Sequence, residues 1–241
     1  MNKLIRIRRQ ENKDSLPYYE EFGYEVDDRE ARVSTMLLEL SRPGVRNKAG
    51  EQTRPVSWEH SCHQKRCGGC SMIINGTPRL ACDTRLADLK GDVITLEPLR
   101  KFPVVCDLFV DRSAVFERYR ELSLYLEEET AYDGYDDETV TEAAFCLQCG
   151  LCLEICPNYH LDGEFLGMSG MTEMAGLLVQ AEGEQAGELK KTYRRDVYEG
   201  CGKSLSCRDI CPAGLDMEML LAKSNRRAWK RRSLWKRKKR H

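Results

Sequence analysis

The chain has 241 residues and 41% apolar content, which is enough for one large or two small domains with ordinary buried cores. No apolar stretch approaches the roughly 18 residues of a membrane span, and the first residues turn polar too early for a signal peptide, so we expect a soluble cytoplasmic chain. The net charge of −1 conceals an acidic body and a basic tail, because residues 219–241 hold eleven Lys or Arg and no acidic residue.

The first part of the chain predicts strands around one helix. KLIRIRR and YYEEFGYEV have the composition of strands, and residues 33–40 place apolar side chains at helical spacing. SMIINGTPRLAC predicts a hairpin with Asn75 and Gly76 at its turn, and DVITLEPL predicts a further strand. These elements indicate a compact α+β domain that ends near residue 108.

Beyond that point the pattern becomes helical. The predicted helical segments are SAVFERYRELSLYLEEE, MTEMAGLLVQAEG, GELKKTYRRDVYEG and LDMEMLLAKSNRRAWKRR. We therefore divide the chain into a domain over 1–108 and an all-helical domain over 109–241, with the border at residues 108–112.

Most of the twelve cysteines lie in tight groups whose spacing is typical of metal ligands in a reducing compartment. The first group consists of Cys62, Cys67, Cys70 and Cys82. Its spacing, with a distant fourth cysteine, is that of a plant-type [2Fe-2S] cluster. We expect Gly68 and Gly69 to let backbone N–H groups approach the sulfurs. A structural zinc site also uses four cysteines, although two CxxC pairs are its usual signature.

A second run, FCLQCGLCLEICPNYH, has the spacing of bacterial ferredoxins, in which three cysteines bind one cluster and the fourth binds another. Its partner run is CGKSLSCRDICP, which has Ser204 where the template has a cysteine. By this crossing rule one cluster is held by Cys146, Cys149, Cys152 and Cys211. The other is held by Cys156, Cys201 and Cys207.

The number of thiolates indicates the type of each cluster. Four thiolates suit [4Fe-4S], and three suit [3Fe-4S], a cube that lacks one iron. Alternatively, the Ser204 hydroxyl or a water completes a third cluster with four irons. Electron paramagnetic resonance (EPR) separates the two cases, because a [3Fe-4S] centre is paramagnetic when oxidised. The remaining cysteine, Cys106 in FPVVCDLFV, is expected to be a buried small hydrophobe.

The three motifs, in this order, resemble the iron–sulfur subunit of succinate dehydrogenases and fumarate reductases. The likeness extends from RIRRQ and PYYEEFGYEV through DLFVDRS to CRDICPAGL. It implies an α+β fold class, with an N-terminal β-grasp plant-type ferredoxin domain followed by an all-helical bacterial-ferredoxin-like domain.

The resemblance also implies electron transfer as the function. In this family a flavoprotein subunit with covalent FAD exchanges electrons with a quinone through [2Fe-2S], [4Fe-4S] and [3Fe-4S] in sequence. The quinone binds near the [3Fe-4S] cluster, where the subunit meets a membrane anchor that is often a haem b cytochrome. Such a chain lies peripherally on the cytoplasmic face of the cell membrane. No catalytic acid, base or nucleophile is expected in it.

Three positions depart from the family pattern. Many relatives have a glycine between the first two cysteines, where this chain has His63–Arg66. The charge of that loop suits a raised cluster potential, an acidic partner surface or simply solvent. Quinone-binding relatives often have a Trp after the Cys-Pro and a His after the first cysteine of the last group, where this chain has Tyr159 with His160, and Gly202. A menaquinone-linked enzyme, with the quinone held mainly by the anchor, is compatible with these changes.

The basic tail has three candidate uses. Trp229 and Trp235 among Lys and Arg suit anionic lipid headgroups. A solvated tail and nucleic-acid binding are the alternatives, and the acidic body argues against nucleic acid.

Two other functions stay open on the sequence alone. One is the iron–sulfur subunit of a soluble flavoprotein such as a thiol-linked fumarate reductase. The other is an interaction protein with zinc in every site. Membrane association and haem content test the first alternative, and iron and sulfide content test the second.

Overall fold

A five-stranded mixed sheet forms the first half of the protein. The computed structural model describes residues 2–26, 28–128 and 137–229, and the strands of this sheet are β1 (Asn2–Arg9), β2 (Tyr18–Glu25), β3 (Ser71–Ile74), β4 (Thr77–Leu80) and β5 (Val93–Glu97). Their order is β2-β1-β5-β3-β4; β1 and β5 are parallel, and the other neighbours are antiparallel. The predicted strands are therefore present, and the hairpin turns at Asn75 and Gly76, which both have positive φ.

Alternation along β1 directs one face of the sheet to the core. Ile5 and Ile7 are fully buried. Helix α1 (Val33–Leu40) adds Met36 and Leu37 to the same cluster of buried apolar side chains, because its apolar residues recur at helical spacing. This layer supports the β3–β4 hairpin, from whose ends the first cysteine group extends.

A two-stranded antiparallel ribbon follows the sheet. Its strands are β6 (Val104–Cys106) and β7 (Phe109–Val110), and Asp107 makes the turn with φ of 47°. Strand structure therefore continues just past the predicted border at residue 108. Cys106 is partly exposed, so the prediction of a buried hydrophobe is wrong. The apolar neighbours of this cysteine lie in a narrow ribbon, which buries its side chains less completely than a sheet does.

The Asp107 carboxylate ties the ribbon to the sheet. It is fully buried, and its Oδ1 lies 3.1 Å from Arg9 Nε and 2.8 Å from Arg54 Nη2. The backbone N–H groups of Gln10 and Ser57 donate to the same carboxylate at 3.0 and 2.9 Å. Segments that are about a hundred residues apart in the chain are thus joined by one buried ion network.

Asp107→Ala is expected to lower the free energy of unfolding by about 3–5 kcal/mol, because it removes one partner of a buried ion pair. Arg9 is fully buried; it would keep the Glu20 carboxylate at 2.6 Å and the carbonyl oxygens of Arg54 and Pro55, but it would lose the fully buried one of its two carboxylate partners. Thermal or denaturant unfolding of the purified chain measures the loss. Asp92→Ala, at an exposed carboxylate, is the control and should change stability by less than about 0.5 kcal/mol. Equal effects of the two substitutions would contradict a stabilising role of the network.

The described part of the second half is mainly helical. Its helices are α2 (Ser113–Glu121), α3 (Glu138–Ala144), α4 (Leu151–Ile155), α5 (Gly167–Gln180), α6 (Gly183–Tyr193), α7 (Ser206–Ile210) and α8 (Met217–Trp229). A π-helical turn over Arg194–Tyr198 extends α6. The helix predicted over 113–129 ends at Glu121, because Ser123 takes a left-handed conformation with φ of 49°. Most of α5 is buried, and it contacts α3, α4, α6 and α8.

Helices α4 and α7 form a matched pair that packs together. Each has five residues and follows a residue with positive φ, Gly150 in one case and Leu205 in the other. Each carries a cysteine at its second position and is followed by a Cys-Pro dipeptide. The two cysteine runs therefore fold as similar units that face each other.

The C-terminal end of the described chain is held by aromatic and cationic contacts. The Arg194 guanidinium lies 4.5 Å from the centre of the Trp229 ring, and Tyr198 meets the same ring edge-on at 5.7 Å. The rest of the basic tail, residues 230–241 with Trp235, lies outside the described residues. Across the described ranges, no helix has the length and apolar character that crossing a bilayer requires.

Candidate metal centres

The first cysteine group lies on one loop and at the end of the β3–β4 hairpin. Cys67 is exposed, Cys62 is partly buried, and Cys70 and Cys82 are buried. The Cys82 N–H donates to Cys70 Sγ at 3.5 Å, and the Lys65 N–H donates to Cys82 Sγ at 3.3 Å. The loop between the first two cysteines thus folds over the sulfurs at the hairpin end.

Backbone N–H groups of this loop reach the sulfur of Cys62. Gln64 and Arg66 each donate to Cys62 Sγ at 3.3 Å. Positive φ at His63 and Lys65 gives the loop the tight winding that brings these amides to the sulfur. The two N–H groups lower the pKa of the Cys62 thiol to about 7. The loop is therefore built to stabilise a thiolate, the form that binds iron.

Gly68 lies where the loop of the second cysteine group packs closely against the first. It has φ of +72°, and an added Cβ would lie 2.8 Å from both the Cβ of Cys149 and the carbonyl oxygen of Leu147. Among the described residues, the N–H groups that donate to sulfurs of the first group belong to the Cys62–Cys67 loop and to Cys82, not to the two glycines. The hydrogen bonds to sulfur expected at Gly68 and Gly69 are therefore not among these, and the lack of a side chain at Gly68 instead leaves room for Cys149 and Leu147.

One cavity gathers the four cysteines that the crossing rule assigns to the second cluster. Its lining includes Cys146, Cys149, Cys152 and Cys211. The first three follow α3 in the chain, and the fourth ends α7. Gln148 and Gly150, with φ of 50° and 81°, wind the intervening loop. Two distant segments thus present their thiols to one space.

These thiols are hard to ionise without a positive partner. Burial raises the pKa of Cys146 to about 11 and holds the pKa of Cys152 well above its ordinary value, and neighbouring cysteine charges act in the same direction. Four thiolates in such a space need compensating positive charge. The irons of a cluster supply that charge, so the donor set fits an iron–sulfur cluster.

The third group lies where α4 and α7 meet. Burial raises the pKa of the Cys207 thiol to about 11, and charges on Cys156 and Cys201 raise it further, so the three sulfurs interact electrostatically. The Ser204 hydroxyl is exposed and accepts a hydrogen bond from Ser206 at 3.3 Å. Whether Ser204 takes part in a cluster stays a prediction.

Nowhere in residues 2–26, 28–128 and 137–229 do three His, Cys, Asp or Glu side chains converge as ligands of one metal ion. In an iron–sulfur cluster the thiolates are distributed over two or more irons, so they need not converge on a single point. Analysis of iron and zinc in the purified protein identifies the metal.

Arg112 joins the first and second groups. Its Nη1 donates to the carbonyl oxygens of Gly68 at 3.1 Å and of Cys149 at 3.0 Å, and its Nη2 donates to the Glu59 carboxylate. Cysteine spacing gives no sign of this residue. The one available signal is its position in DLFVDRS, a segment that carries the family resemblance.

The positions that lack the usual quinone contacts closely follow Cys156 and Cys201 of the third group in the chain. Tyr159 is buried and His160 is exposed. At Gly202 an added Cβ would lie 2.9 Å from Asn158 Nδ2, which donates to the carbonyl oxygen of Gly200 at 2.8 Å. Asn158 therefore occupies the space that the first atoms of a side chain at residue 202 would need. A cavity of about 260 Å³ adjoins the third group and is lined by residues that include Tyr198, Cys201, Lys203, Leu205 and Leu221.

Two family models together cover most of the chain. One, described as a 2Fe-2S iron-sulfur cluster binding domain, matches residues 4–117. The other, described as a 4Fe-4S dicluster domain, matches residues 142–215. The chain therefore carries a [2Fe-2S] domain followed by a [4Fe-4S] dicluster domain, in the order predicted from the cysteine motifs.

Relatives of known identity resemble the chain over nearly its whole length. The succinate dehydrogenase iron-sulfur subunit of Bacillus subtilis (strain 168) is 36% identical over 241 residues, which cover 93% of this chain and 92% of the relative. The fumarate reductase iron-sulfur subunit of Wolinella succinogenes is 28% identical over 228 residues, which cover 86% of this chain and 88% of the relative.

The fold is shared with a solved structure. A chain of the Mycobacterium smegmatis Sdh1 complex in the apo form superposes with a TM-score of 0.75 at 24% identity, covering 94% of this chain and 95% of that chain. The cysteine groups, the two family models and the full-length relatives agree. This chain belongs to the family of succinate dehydrogenase and fumarate reductase iron–sulfur subunits.

Proposed function

We propose that this chain relays electrons between the FAD of a flavoprotein subunit and a quinone, as the iron–sulfur subunit of a succinate dehydrogenase or fumarate reductase complex. The observation that supports this most directly is the succession of the three cysteine groups. The first group meets the second at Gly68 and Cys149, and the second meets the third where α4 packs against α7. A one-electron relay requires redox centres in such a succession.

The ligand sets follow the crossing rule. The [2Fe-2S] cluster is bound by Cys62, Cys67, Cys70 and Cys82. The [4Fe-4S] cluster is bound by Cys146, Cys149, Cys152 and Cys211, which share one cavity. The [3Fe-4S] cluster is bound by Cys156, Cys201 and Cys207. When bound, the clusters supply reversible one-electron chemistry; the protein binds them through thiolates, donates N–H groups to sulfur and excludes water.

The two halves correspond to the two ferredoxin-like units. The mixed sheet with α1 across it supports a β-grasp, plant-type ferredoxin domain over residues 1–108. The matched α4 and α7 units support a bacterial-ferredoxin-like domain over residues 109–241.

The two ends of the relay differ in their surroundings. Exposed Cys67 leaves the first group accessible to the flavoprotein. The cavity at the third group suits the quinone, menaquinone being preferred, at the contact with a membrane-anchor cytochrome b. Tyr198, which lines that cavity, contacts Trp229, after which the basic tail continues. These features support a peripheral position of the chain on the cytoplasmic face of the membrane.

Affinity purification of the full chain from native membranes under anaerobic conditions tests this function. A flavoprotein with covalently bound FAD and a haem b protein should be purified together with the chain. Each chain should contain about nine non-haem irons when all three clusters are present. Oxidised protein should show the EPR signal of a [3Fe-4S] centre.

Two other results of this purification would favour a different function. A brown soluble complex that reduces fumarate with thiols, without haem, would favour the soluble flavoprotein alternative. A colourless protein with stoichiometric zinc would remove the redox function altogether.

A further inference from the structure

We propose that Arg112 is a positioning residue that holds the first two cysteine loops together and raises the reduction potential of the centre at the second loop. The proposal rests on the proposed function, because it assumes a redox centre at each loop. Nothing in the cysteine motifs assigns a role to this arginine.

The guanidinium of Arg112 bridges the two loops through their backbones. A single nitrogen, Nη1, donates to Gly68 of the first loop at 3.1 Å and to Cys149 of the second at 3.0 Å. The planar donor fork of arginine allows Nη2 to bind the Glu59 carboxylate at the same time. The side chain of Arg112 is 12% exposed, so the bridge is largely shielded from water.

The bridge lies where the loops come closest. At Gly68 there is no room for a Cβ, because Cys149 and Leu147 fill that space. At Gly150 a Cβ would lie 3.7 Å from Cδ of Arg112, so the arginine stem packs on the second loop as well. The backbone next to Arg112 is also held in place, because the N–H of Asp111 donates to the carbonyl oxygen of Pro103 at 2.8 Å.

Two physical consequences follow from this placement. Electron tunnelling weakens steeply with distance, so a bridge that keeps the loops in contact keeps the two centres coupled. A positive charge next to a ligand cysteine favours the reduced, more negative state of the centre, and therefore raises its potential. Glu59 offsets this charge only in part, because its side chain is 40% exposed and screened by water.

The test uses the full chain in its native complex, with Arg112→Gln, Arg112→Lys and a control. EPR-monitored redox titration gives the potential of each centre, and the magnetic interaction between the reduced first and second centres reports their separation. Arg112→Gln should shift the second potential to a more negative value, with a smaller shift of the first and none of the third. It should also weaken the magnetic interaction.

Arg112→Lys should separate charge from geometry. Lysine keeps the charge and the second potential, but its side chain is one bond shorter and lacks the planar donor fork, so it should lose the contacts that Nη1 and Nη2 make together, and the magnetic interaction should still weaken. The control is Arg46→Gln, which removes an exposed guanidinium that donates to the carbonyl oxygen of Gly50 at 2.6 Å, far from the cysteines along the chain. It should change neither measurement.

Unchanged potentials and unchanged magnetic interaction in Arg112→Gln, with all centres assembled, would overturn the role of Arg112 and leave the proposed function intact. Absence of the centres from the unsubstituted complex would instead overturn the proposed function. If Arg112→Gln fails to assemble its centres, the lysine variant decides, since an unchanged magnetic interaction there also refutes the bridge.

Discussion

Cys156→Ala is expected to destroy the third centre and to leave the second intact. Cys156 lies in the same run as three ligands of the second centre, but it follows the end of α4. There its thiolate charge, like that of Cys201, acts on the Cys207 thiol. With one of three thiolates removed, the third cluster loses its attachment, whereas the cavity of the second retains its four cysteines. The EPR signal of the oxidised protein should disappear, and the signal of the reduced [4Fe-4S] centre should remain.

The reciprocal substitution sharpens this test. Cys211→Ala removes a cysteine that lines the second cavity although it belongs to the last run, so it should damage the [4Fe-4S] centre first. Cys106→Ala is the control, because Cys106 lies in the ribbon and in none of the three groups. Loss of the [4Fe-4S] signal in Cys156→Ala, with a normal third centre, would show that the runs do not exchange their fourth ligands.

Gly68→Ala is expected to destabilise the protein far more than the same change at a free turn. Alanine at φ of +72° costs about 1–2 kcal/mol in backbone strain alone. The new Cβ would also press on the backbone and Cβ of Cys149, which adds about 1–3 kcal/mol if the loops stay together. Thermal unfolding of the loaded chain measures the sum, and EPR shows whether the first two centres move apart.

Gly50→Ala provides a matched control for this substitution. Gly50 has φ of +82°, but an added Cβ would meet nothing within 4 Å. Only the backbone cost of about 1–2 kcal/mol should appear there. Similar losses for both substitutions would mean that the two loops are not in contact.

Patterns in short stretches of sequence correctly predicted the strands of the sheet and its hairpin, and they defined the three cysteine groups. The alternation in KLIRIRR and the Asn75–Gly76 turn specify strands and a hairpin without reference to the rest of the chain. The spacing of the cysteines specified three groups, since a short loop can wrap a cluster only at certain spacings. The family likeness and the order of the domains followed from these groups.

The rest depends on long-range contacts that local patterns do not contain. Cys106 has apolar neighbours in sequence, but its exposure is set by the narrow ribbon in which it lies. The helix after Ser113 continues in pattern to residue 129 and is cut short at Ser123. Arg112 bonds to carbonyl groups 44 and 37 residues away in the chain, and no spacing rule links them.

The parallel pairing of β1 with β5 affects how the protein emerges from the ribosome. The first strand lies inside the sheet, between β2 and β5, yet its partner β5 at residues 93–97 is synthesised only after the loop with the first four cysteines. Until then the nascent chain exposes one edge of β1, which is a template for wrong pairing. Because β5 pairs with Ile73 and Ile74 of β3, the β3–β4 hairpin is also joined to the rest of the sheet only once β5 has been synthesised.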